Sequence, residues 1–112
     1  MEHIPFLEPV VVVTTTVGNA ADADRLAQAA VQAGMAACVQ VEPMTSHYIW
    51  QGQQEISAEW RLVLKTVPAA AANLLHWLQT QHPYDVPQLL VRTEQANSAY
   101  AAWVAEQVNI NK

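Results

Sequence analysis

The 112-residue sequence predicts a single α+β domain built on an antiparallel sheet. Three observations lead there. Residues 10–17, all Val or Thr, read as a strand buried on both faces and therefore central in its sheet. Helical and β-rich stretches then alternate in the order β-α-β-β-α-β, with one more helix at the end. Two β-rich arms flank a Gln-Gly turn signal and read as one long hairpin.

Residues 1–8 read as a short N-terminal arm, and residues 10–17 as the first strand. Gly18 breaks that strand. Asn19 can cap the helix that follows, and Asp22 suits both the cap and the dipole of the first turn. Ala23, Leu26, Ala27, Ala30 and Val31 follow helical spacing, and their small side chains suit close approach to a sheet. Gly34 is placed to end the helix as its C′ residue. Residues 35–41 alternate as a second strand, with Ala37, Val39 and Val41 on one face and Ala36, Cys38 and Gln40 on the other. Pro43 predicts a bulge or bend. Residues 46–50 resume the β-rich run, residues 51–54 turn, and the return strand covers 56–67. On that strand Trp60, Leu62 and Leu64 point one way, and Glu59, Arg61, Val63 and Lys65 the other. Pro68 fits the first turn of a second helix, whose stripe is Ala71, Leu74, Leu75 and Leu78. Pro83 stops it and holds His82 extended. His82-Pro83-Tyr84-Asp85-Val86-Pro87 is a stiff connector with two fixed φ angles. Residues 88–93 form the fourth strand. Asn97 can cap a last helix with Tyr100, Trp103, Val104 and Val108 on one side.

This order is the split βαβ of ferredoxin-like folds with an extra C-terminal helix. Two helices cover one face of the sheet, and the other face is left bare. Only 13% of the residues are charged, against about 25% in typical soluble domains, while 52% are apolar. Few charges are thus available for a large surface. The bare face and the overhanging hairpin are expected to be buried by association with other subunits.

The net charge is −5, and the five cations (Arg25, Arg61, Lys65, Arg92, Lys112) are scattered. Such a domain is a poor binder of nucleic acid or anionic membrane. No apolar run approaches the roughly 18 residues of a membrane span, and the first residues lack the pattern of a signal peptide. One cysteine excludes an internal disulfide framework. The cytoplasm is the expected compartment.

No glycine-rich phosphate loop and no zinc-type pairing of Cys and His is present. Cys38 fits either a small core residue on a strand or a nucleophile or soft metal ligand. His82 fits either a surface loop histidine or a ligating, proton-transferring one. Glu59 and Lys65 share a strand face roughly 20 Å apart, so each needs a partner elsewhere. With Arg61 they form a charged stripe that is either simply solvated or a ligand contact. Tyr48, Trp50 and Tyr84 could stack on a ligand or anchor an interface. His76 falls on the outer face of the second helix. No orienting acid accompanies a Cys-His pair, so no enzyme is expected.

Several runs together resemble one family. Ala36-Ala37-Cys38-Val39, then Ser46-x-Tyr48-x-Trp50-x-Gly52, then Glu59 through Leu64-Lys65-Thr66, then His82-Pro83-Tyr84-Asp85-Val86-Pro87, then Tyr100-x-x-Trp103 are similar to the CutA divalent-cation tolerance family. The resemblance spans residues 10–106. It implies a ferredoxin-like homotrimer, PII-like in architecture, whose long hairpins pair across subunits, with Tyr48 and Trp50 at the interface. It implies a role in divalent-cation tolerance and homeostasis, and binding of Cu²⁺ or another divalent cation at an intersubunit cleft. The metal ligands it suggests are Cys38, Glu59 and His82, with Lys65, Tyr84 and Arg61 lining the same cleft. Some copper-binding members carry a cysteine and a second histidine where this chain has Thr15 and Gln81. The family often has Pro-Gly-x-x-Ser before the hairpin, and Pro43-Met44-Thr45-Ser46 is one residue shorter here. Two other roles fit the same architecture. One is a PII-like sensor that binds an organic anion through Lys65 and Arg61. The other is a trimer that scaffolds a protein partner.

Overall fold

The computed structural model describes residues 6–109. Its elements are β1 (Leu7–Val17), α1 (Ala20–Gln32), β2 (Cys38–Trp50), β3 (Gln53–Thr66), α2 (Ala71–Gln81), β4 (Leu90–Asn97) and α3 (Ser98–Gln107). The four strands form one antiparallel sheet in the order β2-β3-β1-β4, the expected ferredoxin-like topology. β1 lies inside the sheet, and residues 10–17 are all buried. The last residues of the expected N-terminal arm belong to β1. Residues 1–5 lie outside the described residues, and Leu7 and Glu8 already pair with Asn97 and Ala96 of β4. None of the helices is long and apolar enough to cross a membrane, among the described residues.

α1 starts and stops as its end residues dictate. The Asp22 backbone N–H donates to Asn19 Oδ1 at 2.8 Å, which satisfies one of the orphan donors of the first turn. Gly34 takes φ +70° after the last turn. Its N–H bonds the Val31 carbonyl, and the next N–H bonds that of Ala30. That pair of bonds is a Schellman ending, and the positive φ is what requires glycine there. Ala23, Leu26 and Ala30 are buried as expected, but Val31 is 45% exposed. α2 follows a short 3-10 turn (Pro68–Ala70), and its Leu74 and Leu78 join the same core.

That core fills the space between α1, α2 and one face of the sheet, around Val11, Val13, Leu62 and Leu64. The opposite face is not as bare as expected. α3 lies against one end of it, where Val104 and Val108 pack with Val10 and Ala101. Trp103, expected on the same side, is instead among the exposed large side chains.

Pro43 makes no bulge. β2 and β3 keep one unbroken register from Cys38↔Lys65 to Trp50↔Gln53, with Pro43 opposite Trp60. The reason is position: β2 is an edge strand, and a proline there can turn its missing N–H away from the ladder. The two β-runs either side of Pro43 are therefore one strand. Gln51 and Gly52 both take positive φ, 50° and 79°, the two-residue turn that matches strand twist. β1 pairs with β3 only from Trp60 onward. Residues 44–50 and 53–59 therefore project as a two-stranded ribbon, with Ile49 67% and Ile56 64% exposed.

Candidate functional site

A cleft of about 700 Å³ opens between the ribbon and the connector from α2 to β4. Tyr48 and Trp50 line it from the ribbon, and Pro83, Tyr84 and Val86 from the connector. Its carboxylates and imidazole are those of Glu59, Asp85 and His47.

Two hydrogen bonds pin the connector to the sheet, and a third braces it internally. His82 Nε2 lies 2.9 Å from Thr15 Oγ1 on β1. The Tyr84 backbone N–H donates to His82 Nδ1 at 3.1 Å. The Tyr84 hydroxyl donates to Glu59 Oε2 on β3 at 2.8 Å. A backbone N–H can only donate, so Nδ1 is unprotonated and the ring proton sits on Nε2, facing Thr15. The two prolines restrict the connector, and these bonds set its position. Gly18 leaves room for the phenol: a Cβ there would stand 3.3 Å from the Tyr84 hydroxyl.

Burial pushes His82 below its ordinary value, against a backbone hydrogen bond to Thr16 and the charges of Asp22 and Glu59, with Arg25 adding to the downward push. Burial, then the hydrogen bond and charge of Glu59, push the Tyr84 phenol well above its ordinary range. The folded state therefore holds His82 neutral. The consequence has a definite sign. Below about pH 6.5 the unfolded chain takes up the proton first, so stability from this histidine is complete above that value and falls as the pH is lowered through its folded pKa. Urea unfolding at pH 7.5 and 5.5 should show a larger loss for the wild type than for His82→Gln. An equal loss in both would mean that His82 is not held neutral.

The site residues read from the sequence fall into two groups in one protomer. Glu59, His82 and Tyr84 come together. Cys38 and Lys65 stand opposite each other across the β2–β3 ladder, six residues along β3 from Glu59 and so roughly 20 Å away. Lys65 Nζ lies over the Tyr100 ring, 5.6 Å from its centre. Arg61 is paired with Glu42, its Nε 2.8 Å from Oε1. Neither Lys65 nor Arg61 lines the cleft. Tyr48 and Trp50 form its wall. Cys38 is half-buried and free.

A metal site inside one protomer does not fit this arrangement. Among the described residues, no three of His, Cys, Asp and Glu converge as a ligand set. Both ring nitrogens of His82 already have hydrogen-bond partners. Thr15, Gly18, His47 and Asp85 also belong to the site, and residue type alone does not mark them as such. Gly18 carried a signal, since a glycine directly after a buried strand also marks a close approach, here by Tyr84.

The family model "CutA1 divalent ion tolerance protein" matches residues 11–107. A divalent-cation tolerance protein CutA from Pectobacterium atrosepticum is 35% identical over 106 residues, which is 93% of this chain and 96% of that protein. The solved structure of CutA from Synechococcus elongatus PCC7942 is 39% identical with a TM-score of 0.87, covering 90% of this chain and 91% of that one. A second structure of that protein, described as complexed with a Bis-Tris molecule, is 38% identical with a TM-score of 0.83 and covers 89% of this chain and 94% of that one.

Proposed function

The chain belongs to the CutA1 divalent ion tolerance family, and from that premise we propose that it is a cytoplasmic homotrimer in divalent-cation homeostasis, copper included. Its action is binding, with no catalysed step. The projecting ribbon is the observation that carries the assembly. An isolated two-stranded ribbon is marginal in water, and this one has an unpaired β3 edge and two exposed isoleucines along residues 44–59. Pairing with other copies of the chain removes both liabilities. Tyr48 and Trp50 then face a cleft at the subunit boundary rather than forming the apolar contact, which falls to Ile49 and Ile56.

Copper sits, in this reading, between protomers. Cys38 is too far from Glu59 and His82 within one chain, so a site that uses all three must be completed by a neighbouring subunit. Thiolate, imidazole and carboxylate are suitable ligands for Cu²⁺, and His82 would ligate by giving up its Nε2 contact with Thr15. Calorimetric titration of Cu²⁺ into the wild type, His82→Ala and Cys38→Ser should show weaker binding in both variants. Equal affinity in either would remove that residue from the site, and equal affinity in both would end the reading.

The cleft favours a second reading, a PII-like small-molecule sensor. A volume of about 700 Å³ is the size of an organic-ligand site and far more than a bare ion needs. Its aromatic walls support the same view, and the Synechococcus relative described as complexed with Bis-Tris is a family member that holds a small organic molecule. A specific ligand would raise the unfolding temperature by mass action.

A further inference from the structure

We propose that the cleft between the ribbon and the 83–88 connector binds a small organic cation, an aryl- or alkylammonium, rather than the organic anion expected of a sensor that used Lys65 and Arg61. This rests on the second reading above, that the cleft is a ligand site, and names what it takes.

The first ground is charge. The lining carries two carboxylates, Glu59 and Asp85, and neither Lys nor Arg. Among the described residues the cations are engaged elsewhere: Arg25 with Asp22, Arg61 with Glu42, Arg92 with Glu94, and Lys65 over Tyr100. An anion entering the cleft would meet like charge, with no Lys or Arg in the lining that the protomer supplies. The second ground is desolvation. Glu59 is only 9% exposed, and a ligand filling the cleft would strip water from its carboxylate. That burial is costly for a neutral ligand and is offset by one that brings a positive N–H donor. The Tyr84 hydroxyl, bonded to Oε2, holds the carboxylate in place for such a donor. The third ground is the walls. Tyr48, Trp50 and Tyr84 present ring surfaces, which attract a cation through their quadrupoles and pack against its apolar body. A bare metal ion satisfies none of the volume, and no compact ligand set exists for it among the described residues.

The test uses three probes of matched shape and different charge: phenethylammonium, phenethyl alcohol and phenylacetate. Each is titrated calorimetrically into the full chain at neutral pH. Phenethylammonium should bind at least about tenfold more tightly than the other two. Glu59→Gln and Trp50→Leu should each weaken it by about tenfold. Asp85→Asn, on an exposed loop residue, should weaken it severalfold and serves if Glu59→Gln fails to fold. If the alcohol or phenylacetate binds as well as the ammonium and still depends on Trp50, the cleft is a ligand site but the cation class is overturned. If none of the probes binds, the ligand-site reading falls together with the inference. Ammonium binding that ignores all three substitutions overturns the site.

Discussion

Replacing Ile49 and Ile56 together by aspartate is expected to turn the proposed homotrimer into a monomer. Both side chains project from the ribbon with about two thirds of their surface in water, at 67% and 64% exposure. Burying that surface against another subunit stabilises assembly by on the order of 1–2 kcal/mol per side chain. Aspartate reverses the sign, because an unpaired carboxylate in an apolar contact must be desolvated without compensation. The effect multiplies over every copy of the ribbon in the oligomer. The fold of the protomer should survive, since neither isoleucine belongs to the buried cores. Sedimentation velocity should show the wild type at three times the chain mass and the double variant at one. Val31→Asp is the control, an equally apolar residue 45% exposed on the outer side of α1, and should stay trimeric. A double variant that remains trimeric would move the interface away from the ribbon, and a monomeric wild type would remove the trimer altogether.

The fold was legible wherever local chemistry and burial agree. The β-branched run of residues 10–17 could be read as central because a strand with no polar alternation has both faces covered. Asn19 and Gly34 marked the ends of α1 because a cap and a positive φ each demand a narrow set of side chains. Pro43 misled because the penalty of proline in a strand depends on which neighbour the strand has. That is a property of the sheet order and not of the segment. The cover of the second sheet face is not legible for a similar reason. The stripe on α3 shows that the helix packs, but not on which face of the sheet.

The site was only half legible. Spacing along β3 correctly separated Glu59 from Lys65, and the register then put Cys38 beside Lys65 instead of beside Glu59. The grouping of all of them follows from the family resemblance and concerns a cleft between subunits, which distances within one chain do not address. The contacts that organise the cleft join residues far apart in the chain, Thr15 with His82 and Glu59 with Tyr84. No periodicity connects such pairs. They follow from the antiparallel neighbourhood of β1 and β3, which brings the start of the connector over both strands.

Tyr84→Phe measures what the last of those contacts contributes. The substitution keeps the ring and removes one oxygen, which donates to Glu59 Oε2 at 2.8 Å. The cost is set less by the bond than by what is left behind. Glu59 is 9% exposed, so its carboxylate loses a donor in a place where water does not readily replace it. Leaving a buried acceptor unsatisfied costs about 1–3 kcal/mol, more than the net value of an ordinary exposed hydrogen bond. Tyr84 itself is partly open to the cleft, so some water can follow, and the lower half of that range is expected. Glu59→Gln separates the two contributions, since an amide oxygen still accepts from the phenol but carries no charge. If the carboxylate is the source of the cost, Tyr84→Phe should be markedly less damaging in the Glu59→Gln background, with a coupling energy in the double-mutant cycle of at least about 0.5 kcal/mol. The connector should also loosen, because the bond that ties Tyr84 to β3 is gone while the two at His82 remain. Amide exchange at Asp85 and Val86 should then accelerate, while the amides of α1 and β1 stay protected. Additive effects and unchanged exchange would mean that the two prolines and the His82 bonds hold the connector, and that the Tyr84–Glu59 contact only accompanies a position already set.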